Sequence, residues 1–302
     1  MRRPSLTSHD AEMVLVATIW GGNFSLSKLA MDQIPPLAFS GLRFAFASVL
    51  LLLVARRVGV LTPLPRRTFW GLAGLGVVGN TLYQTAFMTG LSVTSATNSA
   101  MIVASLPVAV AVLGTGLGVE RATPLMWLGV LLGSGGVALV VASPDLGFDA
   151  AGLRGDLLVL FATLCWSFYT VGVRQVGRGV DPLQITAITT AGGTPGLVLL
   201  GLPGLVRQDW GAVSARTWGA LAYAALLSLV FAYVLYNRAV QGIGSARTAI
   251  YNCLTPIVAM GVAWLTLGET LRPLQLGGVA LVIAGVLVSV VAARGRLLAS
   301  SQ

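Results

Sequence analysis

Acidic side chains and histidine are scarce in this chain: of 302 residues, ten are Asp or Glu and one is His. The ten acids are Asp10, Glu12, Asp32, Glu120, Asp145, Asp149, Asp156, Asp181, Asp209 and Glu269, all in loops or near the ends of apolar runs, and His9 precedes the first run. No carboxylate or imidazole is therefore expected deep inside an apolar segment, where a proton carrier would stand. Cysteine is limited to Cys165 and Cys253. Both fall within expected helices without metal-ligand spacing, and they read as small buried hydrophobes rather than a disulfide. There is no HExxH, no GxSxG and no Gly-rich phosphate loop, so the common hydrolase, zinc-protease and nucleotide-cleaving chemistries have no foothold. No cofactor is called for.

What the chain has in abundance is apolar surface. Hydrophobic residues make up 56% of it and charged residues 10%, against about 25% charged in soluble domains. Mean hydropathy is +0.85. Apolar runs long enough to cross a bilayer, roughly 17 to 25 residues each, recur from end to end with short connections. Ten helices are expected, at 12–32, 37–55, 68–90, 96–118, 125–142, 155–174, 183–205, 216–238, 246–267 and 274–292. No soluble domain is left over. Because every backbone polar group needs an internal partner in lipid, and the strand pattern of a barrel is missing, the fold class is an all-α membrane protein.

A net charge of +9 raises the question of a nucleic-acid partner, and the placement of the basic residues answers it. With the N-terminus in the cytoplasm, thirteen cations fall on that side, at positions 2, 3, 56, 57, 66, 67, 121, 174, 178, 238, 247, 294 and 296. Lys28, Arg154, Arg207, Arg216 and Arg272 fall on the other, and Arg43 lies within a span. That asymmetry satisfies the positive-inside rule with both termini cytoplasmic, so orientation in lipid accounts for the charge and no nucleic-acid partner is needed. The first run carries Asn23 and Lys28 and has no clear cleavage site, which argues against a removable signal sequence.

The chain also repeats itself. An offset of 146 residues aligns Trp20 with Trp166, Lys28 with Arg174 and Pro36 with Pro182. Further along, an offset of 149 aligns Pro107 with Pro256, Glu120 with Glu269, Pro124 with Pro273, Gly129 with Gly278 and Gly136 with Gly285. Short loops absorb the difference. The two units are placed at 11–142 and 155–292. An odd number of spans in each makes the second enter the membrane from the opposite side, giving two inverted-topology repeats of five helices, a signature of transporters.

The residues that carry this repeat resemble a known family. "IWGGNFSLSK", "PPLAFSGLRF" and "LPVAVAVLGTGLGVERATPLMWLG" look like one EamA domain, with Ile19 where Leu is usual. "ATLCWSFYTVGVR" and "LTPIVAMGVAWLTLGETLRPLQLGGVALVIAGV" look like its second copy. The resemblance covers nearly the whole chain and implies the drug/metabolite transporter superfamily, whose members typically export amino acids or other small metabolites. A multi-pass protein of a bacterial inner membrane is expected, with a small-molecule substrate and a monomeric state.

Candidate substrate-binding residues follow from polar and aromatic side chains at depth. Trp20 and Trp166, equivalent in the repeat, are expected to face each other across a central cavity. Asn80, Tyr83, Gln84 and Phe87 follow helical spacing and share a face. Tyr169, Tyr233, Tyr236, Asn237, Tyr251 and Asn252 add hydrogen-bonding groups in later spans. Each of Asn23, Asn80, Gln84, Asn98 and Asn252 can either line a cavity or bridge helices, a bridge being worth ~0.6 kcal/mol. Arg43 is read as structural rather than substrate-binding, held in an ion pair or by hydrogen bonds to helix-end carbonyls, with Asp32 and Glu269 its nearest acids by membrane level. Pro107 and Pro256 are expected to kink the fourth and ninth spans and act as hinges.

Tyr, Trp and Asn without intramembrane acid suit a neutral zwitterion. A nucleotide sugar would want cations in the cavity, and a lipophilic cation a carboxylate. The expectation is an exporter of aromatic or large neutral amino acids, similar to the YddG-like aromatic amino acid exporters, working by alternating access and facilitated diffusion. A proton-coupled drug or metabolite exporter is the alternative, with Glu12 as the first proton carrier to examine.

Overall fold

A computed structural model describes residues 7–91, 93, 102–103, 105–121, 123–141, 150–258, 261 and 273–299. Asn98 and Glu269 lie outside the described residues, as does the side chain of Lys28. The chain folds into helices throughout: α1 (Ser8–Met31), α2 (Pro36–Val58), α3 (Arg66–Gly76), α4 (Tyr83–Leu91), α5 (Leu106–Gly116) and α6 (Pro124–Val141). They are followed by α7 (Ala150–Val176), α8 (Pro182–Arg207), α9 (Ala215–Tyr223), α10 (Ala232–Ile243), α11 (Ser245–Tyr251) and α12 (Pro273–Ala299). Among the described residues there is no strand.

Local sequence sets these boundaries. The Thr7 amide and hydroxyl both donate to the Asp10 carboxylate, at 2.8 and 2.7 Å, which fixes the first turn of α1. Pro36 opens α2 where a missing N–H is harmless, and Gly59, at φ 78°, closes it in the left-handed region. Asp181 and Ser214 accept amides in the first turns of α8 and α9.

Four helices are long and apolar enough to cross a membrane: Pro36–Val58, Leu153–Val176, Pro182–Arg207 and Ala215–Ile243. Leu106–Gly116, Pro124–Leu139 and Leu276–Ser289 are shorter apolar helices. The chain is thus an all-α, multi-pass membrane bundle. Leu199, Val206, Leu53 and Leu131 are among many large apolar side chains left on its outside, where lipid rather than water suits them.

Helix pairing organises the bundle. The α6 and α12 helices pack along each other, as do α2 and α8; α4 lies on α7, α1 on α10, and α5 on α11. Glycine allows the closest of these approaches. A side chain at Gly136 would fall 2.7 Å from the Gly278 carbonyl oxygen, and one at Gly129 would fall 2.9 Å from that of Gly285.

Two stretches widen into π-helical turns, Val77–Leu82 between α3 and α4 and Ala224–Phe231 between α9 and α10. In the first, the Asn80 amide nitrogen donates to the Thr189 carbonyl at 3.0 Å and the Thr81 hydroxyl to that of Gly193 at 2.6 Å. The Asn80 amide nitrogen and the Thr81 hydroxyl are thereby satisfied by the backbone of α8, while the Asn80 amide oxygen stays buried without a partner.

The expected kinks at the two prolines take a different form. Pro107 lies in the first turn of α5, after Ser105, rather than in the middle of a helix. On the other side, α11 ends at Tyr251, two turn residues follow, and Pro256 falls in the helical stretch 254–258. Proline at the start of a helix meets no steric conflict, so here it marks where a helix begins, and the break replaces a bend.

Candidate functional site

The centre of the bundle is built from rings. Trp20 comes from α1, Tyr83 from α4, Trp166 and Tyr169 from α7, and Tyr233 and Tyr236 from α10. Trp166 is the hub: its ring centroid lies 5.0 Å from Tyr169, 5.2 Å from Tyr83, 5.4 Å from Tyr236 and 5.6 Å from Tyr233. Trp20 stands edge-on to Trp166 at 5.9 Å and to Tyr233 at the same distance, and tilts against Tyr236 at 5.3 Å. Such pairs contribute ~0.5–1.5 kcal/mol each beyond area burial.

The two tryptophans therefore meet, but with no open space between them. In this conformation their rings touch, where the repeat suggested they would face each other across a cavity. Trp20 is anchored by its Nε1, which donates to the Ser228 carbonyl at 3.2 Å inside the π-helical stretch. Two clefts lie away from the rings. One of about 320 Å³ runs past Pro36, Leu37, Met88 and Leu200, and one of about 260 Å³ past Pro35, Pro203 and Arg207.

Several of the polar candidates are engaged in holding helices together. Tyr169 donates to Asn237 Oδ1 at 3.1 Å, and Asn237 Nδ2 donates to Thr186 at 2.9 Å, which ties α7, α10 and α8. Asn80 bridges to α8 as described. Tyr251 turns away from the rings and donates to Asp10 at 2.6 Å.

Others retain unmatched polarity. Asn252, in the turn that follows α11, approaches the Tyr236 hydroxyl. Neither its amide oxygen nor its nitrogen meets a partner in hydrogen-bond geometry. The Asn23 amide oxygen and the Thr255 hydroxyl are buried and unpartnered too, near where Gly21 brings α1 against Thr255 and Val258. Buried polar atoms without partners are rare enough in native structures that each calls for an explanation.

Arg43 departs from its expected role. No described carboxylate forms an ion pair with it. Its Nη2 donates instead to Gln84 Oε1 at 3.1 Å, and its guanidinium lies 5.2 Å from the Phe39 ring centroid and 5.6 Å from that of Phe44. Membrane level placed Asp32 near it, but Asp32 sits in the C-cap position of α1.

At one end of the bundle the charges gather. Asp10, 1% exposed, is bonded by Arg247 and Tyr251. Burial alone would raise its carboxyl, but the bonds from Tyr251 and Thr7 and the charge of Arg247 hold it below the ordinary value. Nearby, the Glu120 carboxylate accepts the Ser245 and Ala246 amides at 2.6 and 3.2 Å, capping the N-terminus of α11. Arg174 approaches Glu120 at 3.7 Å and donates to the Gln241 carbonyl. Glu12 pairs with His9 at 3.0 Å and with Arg238 at 3.4 Å. No sequence pattern points to the Asp10–Arg247 contact, which spans 237 positions. Among the described residues no group of three or more His, Cys, Asp or Glu could hold a metal ion.

Comparison with known proteins agrees with this geometry. The chain is 27% identical to the uncharacterized transporter YyaM of Bacillus subtilis over 272 residues, covering 88% of each. It is 32% identical to the uncharacterized transporter sll0355 of Synechocystis over 287 residues, covering 89% of this chain and 85% of that one. The uncharacterized inner membrane transporter YedA of Escherichia coli K12 is 24% identical, with 85% and 82% covered. A solved structure titled only "Crystal structure of protein" shares the fold, with a TM-score of 0.80 at 17% identity over 97% of this chain and 99% of that one. The model of the EamA-like transporter family matches residues 10–142 and again 153–291. The chain belongs to that family, and it is a membrane transporter of small molecules rather than an enzyme.

Proposed function

We propose that the protein is an inner-membrane exporter of amino acids or related small metabolites, favouring aromatic or large neutral side chains, working by alternating access. The observation that carries this is the ring cluster. Trp20, Tyr83, Trp166, Tyr233 and Tyr236 converge from four helices beside Asn252, an amide with no partner of its own. Rings offer flat apolar faces to an aromatic side chain, and unmatched amides offer hydrogen bonds to a carboxylate or ammonium group.

Alternating access rests on ten spans arranged as two inverted repeats, 11–142 and 155–292, and the backbone supports that arrangement. The π-helical stretches Val77–Leu82 and Ala224–Phe231 are 147 residues apart at their starts, matching the repeat offset. Gly129 meets Gly285 while Gly136 meets Gly278, and these four are repeat partners in crossed pairs, as a two-fold axis between α6 and α12 requires. Contact of α1 with α10 is likewise the counterpart of contact between α4 and α7. The distribution of basic residues supports cytoplasmic termini, and we read the membrane as a bacterial inner membrane. Facilitated diffusion is favoured because the buried carboxylates described, Asp10 among them, gather at one end of the bundle and not among the rings.

The test is efflux of labelled phenylalanine, leucine and threonine from proteoliposomes with and without a proton gradient. The expected result is phenylalanine flux that ignores the gradient, and loss of most of it in Trp166→Ala. Flux that requires an opposing proton gradient overturns the facilitative part. Absence of amino-acid flux overturns the substrate class.

A further inference from the structure

The least explained charge in the protein is Arg43. It is 3% exposed, in the eighth position of α2, roughly 10 Å along the helix from Pro36. A charge removed from water and lipid headgroups alike needs an opposite charge or a full set of hydrogen bonds. Arg43 has neither. Its guanidinium makes one described side-chain bond, to Gln84, and its Nε is buried with no acceptor. Phe39 and Phe44 flank it, but cation–π contacts compensate only part of the lost solvation.

Its surroundings connect to the rings. Tyr83 and Tyr233 lie within range of its charge. The Phe44 ring is 6.4 Å from that of Tyr233, which in turn is 5.6 Å from Trp166. Arg43 thus borders the aromatic cluster through Phe44 and Tyr233.

We infer that Arg43 is the anchor for a substrate carboxylate, and that the site takes hydrophobic monocarboxylates with a ring or large apolar group attached. This rests on the transport site proposed above and sharpens its substrate class. The unpartnered Nε–H can donate to a carboxylate, and a planar guanidinium pairs with that group by parallel bonds, while Gln84 keeps it oriented through Nη2. Among the described residues no carboxylate lies at the rings to match an ammonium group, so that end of the substrate is left to neutral amide oxygens such as that of Asn252, and the carboxylate carries most of the affinity. Carboxylate recognition makes amino acids and their 2-oxo acid counterparts equivalent ligands, and excludes the amines.

The experiment measures uptake of labelled phenylalanine into proteoliposomes, with phenylpyruvate and phenethylamine as competitors, and quenching of tryptophan fluorescence by each. In the wild-type protein, phenylpyruvate competes within about threefold of unlabelled phenylalanine and phenethylamine does not compete. Truncating one partner of a buried charged contact gives Arg43→Gln a loss of about 30-fold or more in apparent affinity, with Arg43→Lys between. Since the Gln variant risks misfolding, Gln84→Glu is the decisive change: it hands Arg43 a carboxylate of the same shape, so the protein folds and melts no lower while phenylalanine uptake is lost.

Competition by phenethylamine equal to that of the acids, or unaltered uptake in Gln84→Glu, overturns the assignment while leaving the transporter reading intact. Rescue of an unstable Arg43→Gln by Glu269→Gln also overturns it, because the missing anion would then belong to the chain. Flux of phenylpyruvate without flux of phenylalanine removes the amino-acid reading and supports Arg43. If no carboxylate moves or quenches, both fall.

Discussion

Arg247 Nη2 lies 2.7 Å from one carboxylate oxygen of Asp10 and 2.8 Å from the other, tying the first turn of α1 to the first turn of α11. Tyr251, one turn further along α11, donates to the same carboxylate. Both charges are almost fully buried, at 7% and 1% side-chain exposure. Removing one partner of such a pair strands the other, at about 3–5 kcal/mol. Asp10→Ala and Arg247→Ala should each lower the melting temperature in detergent markedly. The double change Asp10→Ala with Arg247→Ala should do less harm than the sum of the two singles, and strict additivity in that cycle would show that the contact is not coupled.

The same carboxyl gives a pH dependence whose sign is fixed. Its value in the folded protein is depressed, first against burial, by the Tyr251 and Thr7 bonds and the Arg247 charge. Stability from a depressed acid is fully present above the unfolded value, about 3.9, and is lost as pH falls through the lower folded value. Between neutral pH and about 5 the Asp10 contribution should therefore be flat. Melting temperature followed downward from pH 5 should fall more steeply in the wild type than in Asp10→Asn. Parallel curves for the two proteins would remove Asp10 from the acid response.

These relationships differ in how readable they are from the residues alone. Trp20 and Trp166 can be paired because they occupy one offset of the repeat, and their rings do meet. Tyr233 and Tyr236 are readable as one face because three residues separate them. Arg43 is harder: sequence places it at a depth in the membrane, but says nothing of which way around α2 it points, so Asp32 looks near and is not its partner. Asp10 with Arg247 is harder still, since no local pattern links residues so far apart. The prolines mark the right places, yet proline is compatible with both a kinked helix and a fresh start, and only the backbone between Tyr251 and Pro256 tells them apart.

Close packing of α6 on α12 supplies its own control. A side chain at Gly136 would run into the Gly278 carbonyl oxygen at 2.7 Å and the Val282 amide nitrogen at the same distance, both backbone atoms that cannot swing aside. One residue earlier, Gly135 has open space around it. Gly136→Leu should lose about 1–3 kcal/mol or fail to pack, while Gly135→Leu should be tolerated. Equal melting temperatures for the two variants would mean that α6 and α12 do not meet along this face.

The break after α11 carries the last prediction. Asn252 and Cys253 form a turn there, the Asn252 amide bonding back to Ala249 and that of Cys253 to Ile250, and Pro256 follows at the next helical stretch. A helix running unbroken through this point would need the Pro256 amide to donate to the Asn252 carbonyl, and proline has no such hydrogen. Pro256→Ala restores that donor and lets α11 continue, drawing Asn252 into a helix and away from the Tyr236 hydroxyl. Folding should be little affected, because alanine is a good helix former and the site already follows a turn. Transport should drop well before stability does, and hydrogen exchange at 251–256 should slow. Pro107→Ala, at the start of α5, should act in the same direction; unchanged uptake in both variants would exclude the two breaks from the transport cycle.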